Sequence, residues 1–276
     1  LYNEGNLYGA VQSGEHQFYI REKNKKDVLG GQAKFTTVWT KKDGNWVMSD
    51  ILSYDNGEPK DSKITDNLQQ LLENNHIPTL GLGIIEDGKI TQIKVYGTLD
   101  GKITAPYNSF FNVASLTKPV TAMTVLRLVS LGKWNLDESL DKYWVDPDIA
   151  KDPRHKKLTT RIILSHQSGF PNWRGGKNGN KLSFDFDPGT KYQYSGEGLE
   201  YLRKAIENKF HKNLEDLAKE LVFNPLNMKD TSFIWNEKFI DKMVIGYDKE
   251  GKPYDIVRNT KASAADDLIT SVEDYG

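Results

Sequence analysis

Alternating apolar and polar residues in the first part of the chain predict β-strands. Residues 33–40 alternate in this way, an Asp43-Gly44 pair follows, and residues 46–51 resume the extended pattern. This arrangement predicts a hairpin that is closed by an Asp-Gly turn. Residues 8–11 and 17–21 are short apolar segments that predict another pair of strands. The segment is therefore expected to hold about four strands with exposed edges and no covering helix.

The pattern changes after a polar, Gly- and Pro-containing stretch at residues 57–63, which we interpret as a linker. Residues 64–75 carry apolar side chains at helical spacing and predict an amphipathic helix. Residues 80–88 and 90–97 predict two strands around a second Asp-Gly turn, so antiparallel α/β architecture follows. Residues 119–131 are apolar on nearly every side, which predicts a helix buried in the interior. Further helices are predicted over residues 160–164, 197–209 and 214–222.

Composition narrows the classes of function. The 276 residues include 37 Lys and Arg against 38 Asp and Glu, so no overall positive field attracts nucleic acid or anionic membrane. Cys is absent, which excludes disulfides, thiol nucleophiles and Cys-ligated zinc, and the five His residues lack metal-ligand spacing. We therefore predict no metal, no cofactor and no nucleic-acid partner, and we interpret the basic stretch at residues 151–157 as a solvated loop. Neither a 20-residue apolar run nor a signal-peptide pattern is seen in these 276 residues, so membrane association is not indicated.

Ser115 and Lys118 are the strongest candidates for chemistry. They lie where the extended segment 110–113 enters the predicted buried helix, and residues three apart in a helical turn are neighbours. A lysine in a largely dry site can accept a proton, while a serine at a helix start has backbone N–H groups and the positive end of the helix dipole nearby. We therefore predict a nucleophile with its base. The same Ser-x-x-Lys spacing occurs twice more in the chain, where we interpret it as a helix end and a polar loop.

Four motifs follow one another in order along the chain. They are Ser115-Leu-Thr-Lys118, residues 164–171 (LSHQSGFP), residues 188–196 (PGTKYQYSG) and residues 224–231 (NPLNMKDT). This series resembles the serine β-lactamase and penicillin-binding-protein family, in its class C and esterase-like branch. The resemblance covers about residues 64–276 and implies an α+β (α/β sandwich) fold, with an antiparallel sheet, flanking helices and an all-helical lobe. It also implies that Ser115 is the acylated nucleophile and Lys118 a proton shuttle.

Tyr194 matches the tyrosine of the family's second motif. A phenol with an ordinary pKa near 10 is a poor base at neutral pH, so this role requires a nearby positive charge, and Lys118 is the candidate. The alternative is a core tyrosine with a hydrogen-bonded hydroxyl. Gly196 stands where the family commonly has an asparagine that contacts the substrate amide, which favours ester or peptide-type substrates over β-lactams. His166, in the LSHQSGFP motif, is interpreted as a structural histidine in preference to a catalytic one.

The family's third motif, Lys or His followed by Thr or Ser and Gly, does not occur after Tyr194, and we expect it beyond residue 276. We therefore predict two segments. Residues 1–56 resemble, through residues 35–46, the closing strands of a domain similar to nuclear transport factor 2, and form a partial β-rich segment. Residues 57–276 form a β-lactamase-related serine hydrolase domain that lacks its C-terminal part.

The leading hypothesis is a serine hydrolase that forms an acyl-enzyme with an ester, a D-amino-acid peptide or a β-lactam. The alternative is a catalytically silent protein that keeps the β-lactamase fold for binding or sensing. On either hypothesis the expected partner is a small molecule or a peptide, and the oligomeric state stays open. The resemblance further implies export to the periplasm or the cell exterior.

Overall fold

The structure is a computed structural model. It describes the backbone of five strands between residues 2 and 54, together with residues 68–175 and 179–276. The chain divides into two compact units, Leu1–Leu71 and Leu72–Gly276. The predicted linker at residues 57–63 lies outside the described residues, so the predicted boundary between residues 56 and 57 stays a prediction.

The first unit contains two small antiparallel arrangements of strands. The strands are β1 (Tyr2–Asn3), β2 (Asn6–Leu7), β3 (Gly9–Ile20), β4 (Val28–Lys42) and β5 (Asn45–Tyr54). β1 pairs with β2, and the other three form a sheet in the order β3-β4-β5. The predicted hairpin is confirmed, because Lys42 pairs with Asn45; its Asp43-Gly44 turn lies outside the described residues.

The prediction that residues 8–11 and 17–21 form a separate pair of strands is wrong. The two short apolar segments near residues 10 and 18 belong to the single strand β3, which pairs with β4 from Gly9 opposite Thr40 to Ile20 opposite Val28. The polar residues between the segments break the apolar pattern but not the strand, because the ladder is made by backbone hydrogen bonds that any residue except proline can form.

The rest of the chain mixes helices with short antiparallel strand pairs. The helix α1 (Leu68–Asn74) runs across the boundary between the two units. The later elements are β6 (Thr79–Glu86), β7 (Lys89–Gly97), β8 (Phe111–Asn112), α2 (Thr117–Ser130), α3 (Thr160–Leu164), α4 (Gly196–Phe210), α5 (Leu214–Ala218), β9 (Ile269–Thr270) and α6 (Val272–Tyr275). Short 3₁₀ helices occur at Ala114–Leu116, Leu140–Lys142, Pro147–Ile149, Pro153–Lys157 and Glu237–Lys242. β6 pairs with β7 and β8 pairs with β9, both antiparallel.

The predicted order of helix, strand and strand is confirmed. β6 and β7 are joined by Asp87 and Gly88, whose φ angles of 49° and 72° are those of a type I′ turn. The helix α1 is described from Leu68, and residues 64–67 lie outside the described residues. α3 and α4 occupy the predicted ranges at residues 160–164 and 197–209 to within one residue.

Two helices differ from their predictions. α2 is buried on one side, through residues such as Val125 and Leu128, whereas Met123 and Leu126 are 54% and 44% exposed. The prediction of full burial is therefore wrong. A helix that is apolar on nearly every side has no hydrophobic periodicity, so its sequence does not indicate which side is covered. The helix predicted at 214–222 is α-helical only to Ala218 and continues as a π-helical turn at Lys219–Phe223. This wider turn buries three consecutive apolar residues.

The core of the second unit is built around α2, α4 and α5. Residues from these helices that are almost completely buried include Val125, Leu202, Ile206, Leu214 and Ala218. The small sheet of β8 and β9 lies at the start of α2, and the Val113 N–H donates to the Leu268 carbonyl just beyond it. The start of α2 is therefore held against the segment at residues 263–270, which is more than 140 residues later in the chain.

Candidate active site

A strained turn between β8 and α2 places Ser115. Ala114 has a φ of 44°, a left-handed conformation that is uncommon for a residue with a side chain. The turn is held by Asn112, whose side-chain oxygen accepts from the Ala114 N–H, and by Thr117, whose hydroxyl donates to the Ala114 carbonyl. Thr117 also accepts from the Leu268 N–H. Ser115 is thus fixed in the 3₁₀ turn immediately before α2.

Lys118 lies beside Ser115 in a nearly dry environment. Its side chain is 7% exposed, and its Nζ donates to the Ser115 Oγ at 2.8 Å and to the Ala265 carbonyl at 2.6 Å. The contact between the Nζ and the Oγ provides a direct path for proton exchange between the two side chains. The predicted nucleophile and its predicted base are therefore in direct contact.

Tyr194 lies next to both Lys118 and Ser115. The Lys118 Nζ is 4.8 Å from the centroid of the Tyr194 ring, and the tyrosine is 39% exposed, which differs from the alternative of a core tyrosine. Partial burial raises the pKa of Tyr194, but the interactions of its hydroxyl with Lys118 and Ser115 outweigh that effect. The pKa of Tyr194 is therefore below its ordinary value near 10. The structure brings Ser115, Lys118 and Tyr194 together.

The segment at residues 263–265 also orients Lys118. Glu200 on α4 accepts from the Ser263 hydroxyl and the Ala264 N–H, both at 2.7 Å. The Ala264 carbonyl in turn accepts from Thr121 on α2, and the next carbonyl, that of Ala265, accepts from Lys118. Sequence reasoning missed these contacts, since a backbone carbonyl leaves no signal in the type of residue.

The position of Trp173 explains why residue 196 is a glycine. A Cβ atom at position 196 would lie 2.8 Å from two ring atoms of Trp173 and 3.0 Å from the Asn172 carbonyl oxygen, so no side chain fits without moving the tryptophan. Ser195 is extended, with φ −144° and ψ 116°, and residues on either side of an extended residue face the same way. The Trp173 ring therefore lies on the face of the chain to which the Tyr194 side chain also points. Sequence reasoning missed this tryptophan, which is 43% exposed.

The surroundings of the three candidate residues are apolar and open to solvent. Leu116, Tyr192 and Trp173 all present exposed apolar surface. The ring of His166 lies against Tyr194, with ring centroids 4.6 Å apart. In the part of the chain that the structure describes, no three His, Asp or Glu residues are grouped to hold a metal ion, and no helix is long and apolar enough to cross a membrane. The arrangement can support nucleophilic attack by a serine, with proton transfer through a lysine and a tyrosine.

The fold is that of a known family of proteins. The Beta-lactamase family model matches residues 64–276, and the chain belongs to this family. Protein flp of Staphylococcus aureus (strain MRSA252) is 25% identical over 217 residues, which cover 72% of this chain and 43% of flp. The chain thus spans less than half the length of this curated relative.

Solved structures show the same fold. One is EstCE1, "a hydrolase with promiscuous acyltransferase activity", with a TM-score of 0.66, 16% identity, and coverage of 76% of this chain and 69% of that chain. Another is a class C β-lactamase, with a TM-score of 0.66, 20% identity, and coverage of 76% and 61%. The predicted β-lactamase/transpeptidase-like α+β fold is confirmed. The resemblance of the first strands to nuclear transport factor 2 stays a prediction.

Proposed function

We propose that this chain carries the nucleophile of a serine hydrolase that works through an acyl-enzyme. The single observation that carries the proposal is the contact between the Lys118 Nζ and the Ser115 Oγ at 2.8 Å, in a site where the lysine is nearly inaccessible to water. Tyr194 supports it, because a lowered phenol pKa increases the fraction of phenolate available to accept a proton.

The proposed reaction has two steps. Ser115 Oγ attacks a substrate carbonyl carbon, and its proton passes to the Lys118–Tyr194 pair; the tetrahedral intermediate then expels the leaving group, which takes that proton. Water next attacks the acyl carbon and gives a proton to the same pair; the second tetrahedral intermediate then expels the Ser115 oxygen, which takes that proton back, and the acid is released. The Ser115 N–H, at the N-terminal end of α2, is the backbone donor that we assign to the developing oxyanion.

The surroundings of the site favour an ester or a peptide with an apolar group next to the scissile bond. Trp173 occupies the space of a side chain at position 196, so no amide side chain can project there to bind a polar substrate group. The exposed surfaces of Trp173 and Leu116 instead offer apolar contact. Within the proposed function, these observations favour ester and peptide substrates over β-lactams. Family membership supports the further proposal that the whole protein works outside the cytoplasm.

The test is covalent labelling of the full-length natural protein with a fluorophosphonate, followed by mass spectrometry of the labelled peptide. We expect the label on Ser115, and we expect Ser115→Ala to remain unlabelled. Ser130→Ala is a matched control, because Ser130 also has a lysine three residues later but bonds through its hydroxyl to the Arg127 carbonyl. Equal labelling of wild type and Ser115→Ala would contradict the proposal. Absence of label from the wild type would favour a silent protein that binds or senses a ligand.

A further inference from the structure

His166 sits in a fixed position at the end of α3. Its backbone has a φ of 54°, and its N–H donates to the Ile163 carbonyl at 3.0 Å, which closes the C-terminal turn of that helix. The side chain is half-buried. A left-handed residue at this position turns the chain sharply, and the turn directs the imidazole to the segment that carries Tyr194.

Two hydrogen bonds that His166 accepts come from the residues on either side of Tyr194. The His166 carbonyl accepts from the Gln193 N–H at 2.8 Å, and its Nδ1 accepts from the Ser195 N–H at 3.1 Å. The imidazole ring lies against the Tyr194 ring, at 4.6 Å between centroids and 36° between planes. One residue therefore holds the backbone before and after Tyr194 and also contacts its ring.

This arrangement requires a neutral imidazole. Nδ1 can accept a hydrogen bond from an N–H group only when it carries no proton, so the hydrogen-bond pattern assigns the ring proton to Nε2. The groups that face the ring are Lys118 from α2, and Tyr192 and Tyr194 from the neighbouring segment. Burial and the positive charge of Lys118 both lower the pKa of His166. A proton on Nδ1 would place two N–H groups against each other and a second cation near Lys118.

We propose that His166 is a positioning residue: its neutral imidazole, through the Ser195 N–H and the ring contact, holds Tyr194 against Lys118, and its protonation breaks the bond to Ser195, displaces Tyr194 and inactivates the site. This inference rests on the proposed serine hydrolase function, since it concerns the same three residues. It assigns to His166 a role that acts through Tyr194, without contact with the reacting carbonyl.

The first test is the pH dependence of ester hydrolysis by the full-length protein. On the acid side, log(kcat/KM) of the wild type falls with a slope of one as Tyr194 takes up a proton, and steepens to two once His166 is also protonated. His166→Asn places an amide oxygen where Nδ1 lies, tolerates the left-handed backbone and does not titrate in this range. We expect this variant to keep a slope of one throughout.

The second test compares His166→Ala with His211→Ala. His211 also has a left-handed backbone, with a φ of 52°, but it lies exposed at the end of α4, so it controls for backbone strain. We expect His166→Ala to lower kcat by about 10-fold to 10²-fold through misplacement of Tyr194. We expect His166→Asn to recover most of this loss and His211→Ala to leave kcat unchanged.

A third readout does not need turnover. The phenolate absorbance of Tyr194, obtained by difference from Tyr194→Phe, gives its pKa, which we expect to rise in His166→Ala because the ring is no longer held near Lys118. An unchanged Tyr194 pKa, or a slope of two in His166→Asn, would overturn the role of His166. Retained hydrolysis by Ser115→Ala would instead overturn the proposed function, and the absorbance titration would still report on His166.

Discussion

The Ser-x-x-Lys spacing occurs at three places in this chain, and the surroundings of the three differ. At Ser115 the hydroxyl accepts from Lys118, which is buried and held by a distant backbone carbonyl. At Ser139 the hydroxyl donates to the Lys156 carbonyl, while Lys142 is exposed and forms an ion pair with Glu138 at 2.8 Å. That hydrogen bond to Glu138 raises the pKa of Lys142, which is opposite to what a base requires.

The comparison shows that spacing brings a serine and a lysine near each other but does not make a nucleophile. The serine must be free of stronger acceptors, and the lysine must be shielded from water and from carboxylates. At the third place, the Ser130 hydroxyl donates to the Arg127 carbonyl and Lys133 is exposed. Only the Ser115–Lys118 pair therefore meets both conditions among these three sites. Substitutions can test whether these surroundings, and not the spacing, carry activity.

The largest expected effect is that of removing the lysine. Lys118→Ala should lower kcat/KM for an ester substrate by roughly 10³-fold or more, because it removes the group that exchanges a proton with Ser115. Lys142→Ala is the matched control, and we expect it to leave kcat/KM within a factor of two of the wild type. Steady-state kinetics on both variants measures these changes. Comparable losses of kcat/KM in the two variants would contradict the claim that the surroundings, and not the spacing, carry activity.

A smaller loss is expected when only the tyrosine hydroxyl is removed. Tyr194→Phe keeps the ring that contacts His166 and Lys118 but deletes one proton carrier, so kcat should fall by about 10²-fold. The free energy of unfolding should change little, because Tyr194 is 39% exposed. Tyr192→Phe, at a neighbouring tyrosine that is 70% exposed, should retain full activity. Urea denaturation beside kinetics would reveal whether a loss of folding accounts for the result.

The smallest of these effects concerns the covering of the site by Trp173. Gly196→Ala introduces a Cβ that collides with this ring, so it should destabilise the protein by about 1–3 kcal/mol and lower activity several-fold. Gly198→Ala lies in the same helical turn, but its Cβ has only ordinary contacts of 3.4 Å and longer, so no destabilisation is expected. Thermal or urea unfolding measures the difference in stability between the two variants. Equal effects of the two substitutions would show that contact with Trp173 does not determine the residue at position 196.

The parts of the fold that sequence reasoning predicted well are local. The hairpin β6–β7 follows from an Asp-Gly pair between extended segments, and the approach of Lys118 to Ser115 follows from helical spacing at a helix start. The exposed side of α2 could not be predicted, because an apolar sequence does not state which neighbours cover it. The π-helical turn at Lys219–Phe223 likewise depends on packing against the core.

By itself, the sequence determined the ordered motifs, the turn chemistry and the proximity of residues three apart, since these depend on short-range sterics and backbone hydrogen bonds. Only the tertiary structure decided that the Ala265 carbonyl orients Lys118, that Trp173 fills the space beside Gly196, and that His166 brackets Tyr194. These contacts join segments separated by 23 to 147 residues. Their geometry depends on the path of the whole chain, which no local pattern of residues specifies.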